Sequence, residues 1–220
     1  MFDQLIIGDI HSYDDFDASV AERRIIKPKK KSIKESVPYS NITHDFSAIN
    51  GEVYWEEAQL EYDFEIIADS AEELEEKKQP FLSWIMNVMN AELHDPFIPD
   101  YHFKATFDDI AIDDSEIEKS FITVKFTAYP YMIANEARVF TFPLTTTAKT
   151  VTIINESSHR IIPTLICDVD CTVVKGNNTV GISGEVTHEY FMLAPGKNSF
   201  VIKATGNAGT LQIRFYEEVF

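Results

Sequence analysis

Three stretches of the first 131 residues alternate apolar and polar side chains. In 119–131, Ile122, Val124, Phe126 and Ala128 alternate with Thr123, Lys125, Thr127 and Tyr129. This is the period-2 signature of a strand with one face buried, and Pro130, which lacks a ladder donor, should end it. In 59–67, Leu60, Tyr62, Phe64 and Ile66 point one way, while Glu61, Asp63 and Glu65 point the other. In 101–108, Tyr101, Phe103, Ala105 and Phe107 repeat the pattern. Between these strands the period becomes helical. Ser70 and Glu73 have capping-box spacing, and Pro80 is expected to break or kink the helix. Phe81, Trp84, Ile85 and Val88 then form the apolar stripe of a helix laid on a sheet, with Leu82 and Met89 at its margins. A short strand is expected at 5–7, a turn at Gly8-Asp9, and an Asn50-Gly51 hairpin joining 45–49 to 52–55.

Beyond Pro130 the segments shorten. Strands are predicted over 139–142, 150–155, 162–168, 171–174, 179–183, 188–193, 199–204 and 211–216, with turns at 175–178 and 194–198. Seven or eight short strands without a helical pattern predict a β-sandwich. The expected fold is therefore mainly β with a helix: an α+β domain over 1–134 and a β-sandwich over 135–220. The strand at 119–131 closes the first domain.

Charge sharpens this division. Of the net −17, residues 1–134 hold 28 Asp and Glu against 12 Lys and Arg, whereas 135–220 hold 8 against 7. The imbalance suggests two domains with different surroundings. It also argues against a nucleic-acid-binding surface, which needs cations to neutralise phosphates. No basic region followed by a long apolar run begins the chain, and no stretch approaches the roughly 18 apolar residues of a membrane span. Neither a signal peptide nor a membrane anchor is expected, and folding should take place in a cytoplasm.

Seven cations of the first domain crowd into 23–34: Arg23, Arg24, Lys27, Lys29, Lys30, Lys31 and Lys34. Such a run can bind nucleic acid or anionic lipid, or blunt an edge strand against stray pairing. A third reading, docking onto the acidic face of a neighbouring copy, suits this composition best. Arg23, Arg24, Lys27, Lys29, Lys30 and Lys31 are the candidate intersubunit contacts.

No chemistry-bearing motif appears. A phosphate loop, a Gly-x-Ser-x-Gly elbow, a paired-His helix and Cys-x-x-Cys are all missing. The histidines at 11, 44, 94, 102, 159 and 188 lack ligand spacing, and His11 has no recognisable nucleophile beside it. The acids at 108–118 lack the calcium-loop pattern and suit a hairpin loop better. Cys167 and Cys171 lie four apart in a predicted strand, a spacing that cannot close a disulfide without bending it. They are expected to be reduced and packed in the core. No catalytic, cofactor-binding or metal-binding residue is assigned.

Two stretches carry a family resemblance. Gly-Asp-Ile-His-Ser-Tyr-Asp-Asp-Phe at 8–16 resembles the N-terminal signature of distal tail (Dit) proteins of long, flexible-tailed phages. Leu-Ala-Pro-Gly-Lys-Asn-Ser-Phe-Val-Ile-Lys-Ala-Thr-Gly from Leu193, then Leu-Gln-Ile-Arg-Phe-Tyr-Glu from Leu211, is similar to that family's ending. Val37 to Asn41, Asp45 to Ser47, the strand at 121–130, Asn155 and Pro163 fit between them in order, so the resemblance spans essentially the whole chain. Ile42, where glycine is common, and Ala58, where arginine is common, depart from the pattern.

The resemblance implies a virion structural protein of a phage or prophage of a Gram-positive host, made in the host cytoplasm and located at the distal end of the tail. It implies a hexameric ring built by the first domain around a channel, with a galectin-like β-sandwich projecting outward. The implied partners are the tail tube protein, the tail-tip hub or tail-associated lysin, and the receptor-binding protein. Without partners such proteins can remain monomeric. Surplus carboxylates lining the channel would repel DNA phosphates. The rival reading is a carbohydrate-binding module using Tyr190, Phe191 and Phe215 of the second domain. A hydrolase using Asp113 and Glu116 ranks last.

Overall fold

The computed structural model describes residues 3–36, 38–47 and 53–220. The chain divides into two compact units, Met1–Met132 and Ile133–Phe220. The expected hairpin at Asn50-Gly51 and the residue Val37 lie outside the described residues.

The first unit contains β1 (Ile6–Ile7), β2 (Ile10–His11), α1 (Ser12–Phe16), β3 (Ala18–Ile26), β4 (Lys34–Ser36), β5 (Thr43–Asp45), β6 (Ala58–Ile67), α2 (Ala71–Met86), β7 (Ala91–His94), β8 (Tyr101–Asp113) and β9 (Lys119–Ala128). Seven of these strands form one antiparallel path, β3-β6-β9-β8-β7-β1-β2. β9 is central, and its alternation explains why. Ser120, Ile122, Val124, Phe126 and Ala128 are all buried. The register sets Phe64 opposite Ile122, Tyr62 opposite Val124 and Leu60 opposite Phe126, so each core residue meets another across the ladder. The chain leaves the strand before Pro130, as the sequence predicts. The far ends of the path return to one another, because Val20 N in β3 donates to Asp3 O, 2.8 Å away, just before β1. Inside this curl lies one core, to which α2 contributes Leu74, Phe81 and Ile85.

One expectation about this unit needs correction. Pro80 does not break α2, which runs through it from Ala71 to Met86. Pro80 and Glu76, whose carbonyl loses its intrahelical donor, both lie on the exposed side, where water can serve that carbonyl. Meanwhile Leu74, Phe81 and Ile85 hold both halves on the core. A short helix, α1, for which the sequence analysis held no expectation, also follows β2. It ends at Asp17 in the left-handed region, φ 56°, a conformation that Asp tolerates better than most residues.

The second unit contains β10 (Met132–Leu144), β11 (Lys149–Asn155), β12 (Thr164–Cys167), β13 (Cys171–Lys175), β14 (Asn178–Ile182), β15 (Glu185–Thr187), β16 (Gly196–Ala204) and β17 (Gly209–Val219). β15-β12-β17-β10 and β11-β16-β13-β14 are two sheets that share one core, including Leu165, Ile213 and Phe215 from the first and Val173, Phe200 and Ile202 from the second. This is a β-sandwich. Here the cysteine expectation is corrected. Cys167 ends β12 in one sheet and Cys171 begins β13 in the other, so the chain turns between them at 168–170 rather than continuing as one strand. Both thiols are free and buried. Burial, then the neighbouring Cys167, pushes the Cys171 thiol up to about 12.

Two buried amides tie down loops of the sandwich. Asn155 donates to the carbonyls of His159 and Leu193 and accepts from Ser157 N. Asn198 accepts from Ala194 N and Lys175 Nζ, and donates to the carbonyls of Ala194 and Gly196.

Candidate assembly interface

β3 is an edge strand whose ladder partner among the described residues is β6, and the cation-rich segment begins on it. The two arginines at its start are held within the subunit. Arg23 reaches Asp95 at 3.2 Å and Asp3 at 3.1 Å, and its guanidinium lies 3.8 Å over the Phe97 ring. These contacts are ion pairs, with neither Nε nor the distal nitrogen in aligned hydrogen-bond geometry. Asp95 is buried and also accepts from Tyr62 Oη at 3.3 Å and Phe97 N at 3.0 Å. Burial, then the Asp95 carboxylate, raises the Tyr62 phenol well above its ordinary value. Arg24 pairs on the surface with Glu61 and Glu22.

Past Ile26 the chain leaves the sheet as an exposed arm. Lys29 O accepts from Glu56 N, Lys31 N donates to Tyr54 O, and Ile33 O accepts from Phe46 N, each at 2.8 Å. β4 then pairs with β5, Glu35 opposite His44. Lys27, Lys29, Lys30 and Lys31 are all exposed, and no ion pair joins them to another described residue. The arm also carries large apolar side chains into solvent: Ile33, Ile42, Phe46 and a fully exposed Tyr39. So, of the six candidate contacts, Arg23 anchors the arm's root, Arg24 is paired on the surface, and the four lysines remain available along the arm. The cation run marked the segment, but nothing in its composition separated paired arginines from free lysines. For Arg23 it depends on Asp95, about seventy residues downstream, and for Arg24 on Glu61 across the ladder.

Elsewhere the acidic surface is partly neutralised by neighbours. On the outer face of β6, Glu61 meets Arg24, Asp63 accepts from Thr123 Oγ1 at 2.6 Å, and Glu65 meets Lys119. In the β8–β9 hairpin, Asp114 accepts from Lys78 Nζ at 2.7 Å and Ser120 Oγ at 2.6 Å, and Asp109 lies 3.3 Å from Lys125. The Lys78 bond, then that of Ser120, holds the Asp114 carboxyl below its ordinary value. Burial opposes the charge on Lys78, yet Asp114 and Glu75 keep its pKa above that of an ordinary lysine. Among the described residues no three His, Cys, Asp or Glu side chains cluster as metal ligands. His11 lies beside Asp14 at 3.5 Å, its backbone N–H donating to Asp15 at the start of α1. In the sandwich, Phe191 and Phe215 are core residues and only Tyr190 is exposed, so the aromatics considered for sugar binding do not form one platform.

Acids concentrate at α1 and the facing side of α2. Asp14, Asp15, Asp17 and Glu76 line one depression, with Lys77 as the single cation, held by Asp17 at 3.0 Å and Glu73 at 2.9 Å. Adjoining it at Pro80 is an open apolar groove of about 620 Å³. Ile7, Ile10, Trp84, Val88 and Met89 form its walls.

No family model matches the chain, and no curated protein sequence matches it. The crystal structure of the Dit protein of phage SPP1 aligns with 98% of this chain and 99% of its own, at TM-score 0.71 and 12% sequence identity. SPP1 Dit is described as a paradigm of the hub adsorption apparatus in phages infecting Gram-positive bacteria. A chain of the phage P2 baseplate in its activated conformation aligns over 97% of this chain and 98% of its own, at 10% identity, but its TM-score of 0.37 is too low to bear on the fold. The chain therefore has, over nearly its whole length, the fold of the SPP1 Dit protein.

Proposed function

We propose that this protein is a structural virion component, a distal tail adaptor that forms a hexameric ring between the tail tube and the tail-tip and receptor-binding apparatus. The observation that carries the reading is the full-length correspondence to SPP1 Dit, with almost nothing left over in either chain. The ring-forming domain is the first unit, and the second unit is the galectin-like sandwich. The exposed lysine arm gives a physical basis for ring closure. A heterologous contact repeated about a closed axis needs two different, complementary patches on each subunit. A free cationic arm and a strongly acidic unit supply opposite charges, which favour encounter and register. The residual carboxylates make the channel wall repulsive to DNA phosphates. An assembled ring with a neutral or basic channel wall would overturn that last point.

The reading is tested by solution mass and electron microscopy of the purified protein, alone and co-produced with its tail neighbours. The expected particle is a six-fold annulus. A protein that remains monomeric in both preparations overturns it. Changing Lys29, Lys30 and Lys31 to Glu should weaken assembly more at low salt than at high salt, because exposed charges are screened within about 10 Å at 0.1 M. Equal assembly of mutant and wild type at both salts would reject the arm's part.

A further inference from the structure

We infer that the groove beside Pro80 is the receiving surface for the arm of a second copy of this chain. The inference rests on the ring reading for its occupant, but its site comes from two unsatisfied surfaces of the same unit. The groove exposes Ile10 and Met89, the latter with 79% of its surface open, beside Trp84 and Val88. Isolated exposed apolar residues are ordinary, but a lined groove with several of them marks an interaction surface. The arm exposes Ile33, Ile42, Phe46 and Tyr39.

Charge selects the occupant. Asp14, Asp15, Asp17 and Glu76 adjoin the groove at Pro80, and Lys77, the one cation among them, is already engaged. On the arm, Lys31 and Ile33 stand two residues apart and are both exposed, a separation of about 7 Å where the chain is extended. An ammonium can therefore meet the acidic depression while the apolar side chain two residues on enters the groove. A partner with an acidic or neutral face would leave those carboxylates unanswered. Arm and groove are different patches of one surface, the arrangement a closed heterologous ring requires.

The test uses single cysteines in the full chain. Native Cys167 and Cys171 are buried and do not compete. Ile33→Cys protein is mixed with Met89→Cys protein, or with Ile117→Cys protein, whose thiol sits at an equally exposed position in the β8–β9 turn. Mixed-disulfide formation is followed under mild oxidation. At ~50 µM protein the Met89 pair should form at least about tenfold faster, because docking raises the local thiol concentration to the millimolar range. The advantage should fall in 1 M salt, where screening shortens to about 3 Å. Equal rates for the two pairs overturn the inference. An advantage unchanged by salt overturns the charge-selected arm in favour of a purely apolar occupant. A six-fold ring without the Met89 preference removes the groove and leaves the adaptor reading. The preference in a protein that never closes a ring removes the ring and leaves the groove.

Discussion

Arg23 and Arg24 are sequence neighbours with the same side chain, yet their replacement by alanine should differ by about 2–3 kcal/mol. Removing one partner from a buried ion pair costs about 3–5 kcal/mol, because the other charge is left without compensation. Losing Arg23 leaves the buried Asp95 in that state. Asp95 keeps its bonds from Tyr62 and Phe97 N, and the Arg23 side chain is itself 20% exposed, so the lower end, about 3 kcal/mol, applies. Arg24 is 54% exposed and pairs in solvent with Glu22 and Glu61, a setting worth about 0–1 kcal/mol. Both tryptophans, Trp55 and Trp84, lie in the first unit, so tryptophan fluorescence during urea unfolding follows that unit alone. This matters because a two-unit chain need not unfold in one step. The Arg23→Ala midpoint should drop at unchanged slope, with a fall in Tm on the order of 10 °C for a unit of this size. Restoring neutrality with Arg23→Met plus Asp95→Asn should recover part of the loss. If Arg23→Ala and Arg24→Ala agree within about 0.5 kcal/mol, the buried pair does not anchor the arm's root and the distinction between the two residues is wrong.

Three further outcomes follow from particular contacts. Asp114 has a depressed carboxyl pKa, so its contribution to stability is complete above the ordinary value of 3.8 and is lost as pH falls through the lower folded-state value. Asp114→Asn should therefore flatten the acid limb of the first unit's stability profile, and an unchanged limb would refute it. Asn155→Ala removes three hydrogen bonds inside the sandwich and strands the carbonyls of His159 and Leu193, costing about 2–4 kcal/mol, measurable as a calorimetric transition moved without change in the tryptophan signal. Gly209→Ala would place a Cβ 2.3 Å from Asp168 Oδ1 and 2.5 Å from Val169 Cγ2, so about 1–3 kcal/mol of overpacking should appear in the same transition.

Much of the architecture is written in local pattern. The alternation of 59–67 and 119–128 fixed both the strands and their buried faces, because a pleated strand repeats every two residues whatever it pairs with, whereas 101–107 fixed the strand but not its faces, since His102 is buried alongside Phe103. Ser70 did the same for the start of α2, where its hydroxyl accepts from Glu73 N. The charge imbalance and the lysine run were also plain to read. Other features depend on residues brought together from far along the chain. Pro80 is tolerated because Leu74, Phe81 and Ile85 hold α2 on the core on both sides of it, so tertiary burial outweighs the local penalty. The cysteines fall on opposite sheets because the turn at 168–170 crosses the sandwich. Arg23 differs from Arg24 only through Asp95, and the groove exists only where β1 and β2 come against α2. Local sequence determined which segments are strands and helix and which faces are apolar, since those follow from backbone periodicity. The tertiary structure alone decided which charges are neutralised and which remain free for a neighbour, since electrostatic pairing depends on distance in space and not on separation along the chain.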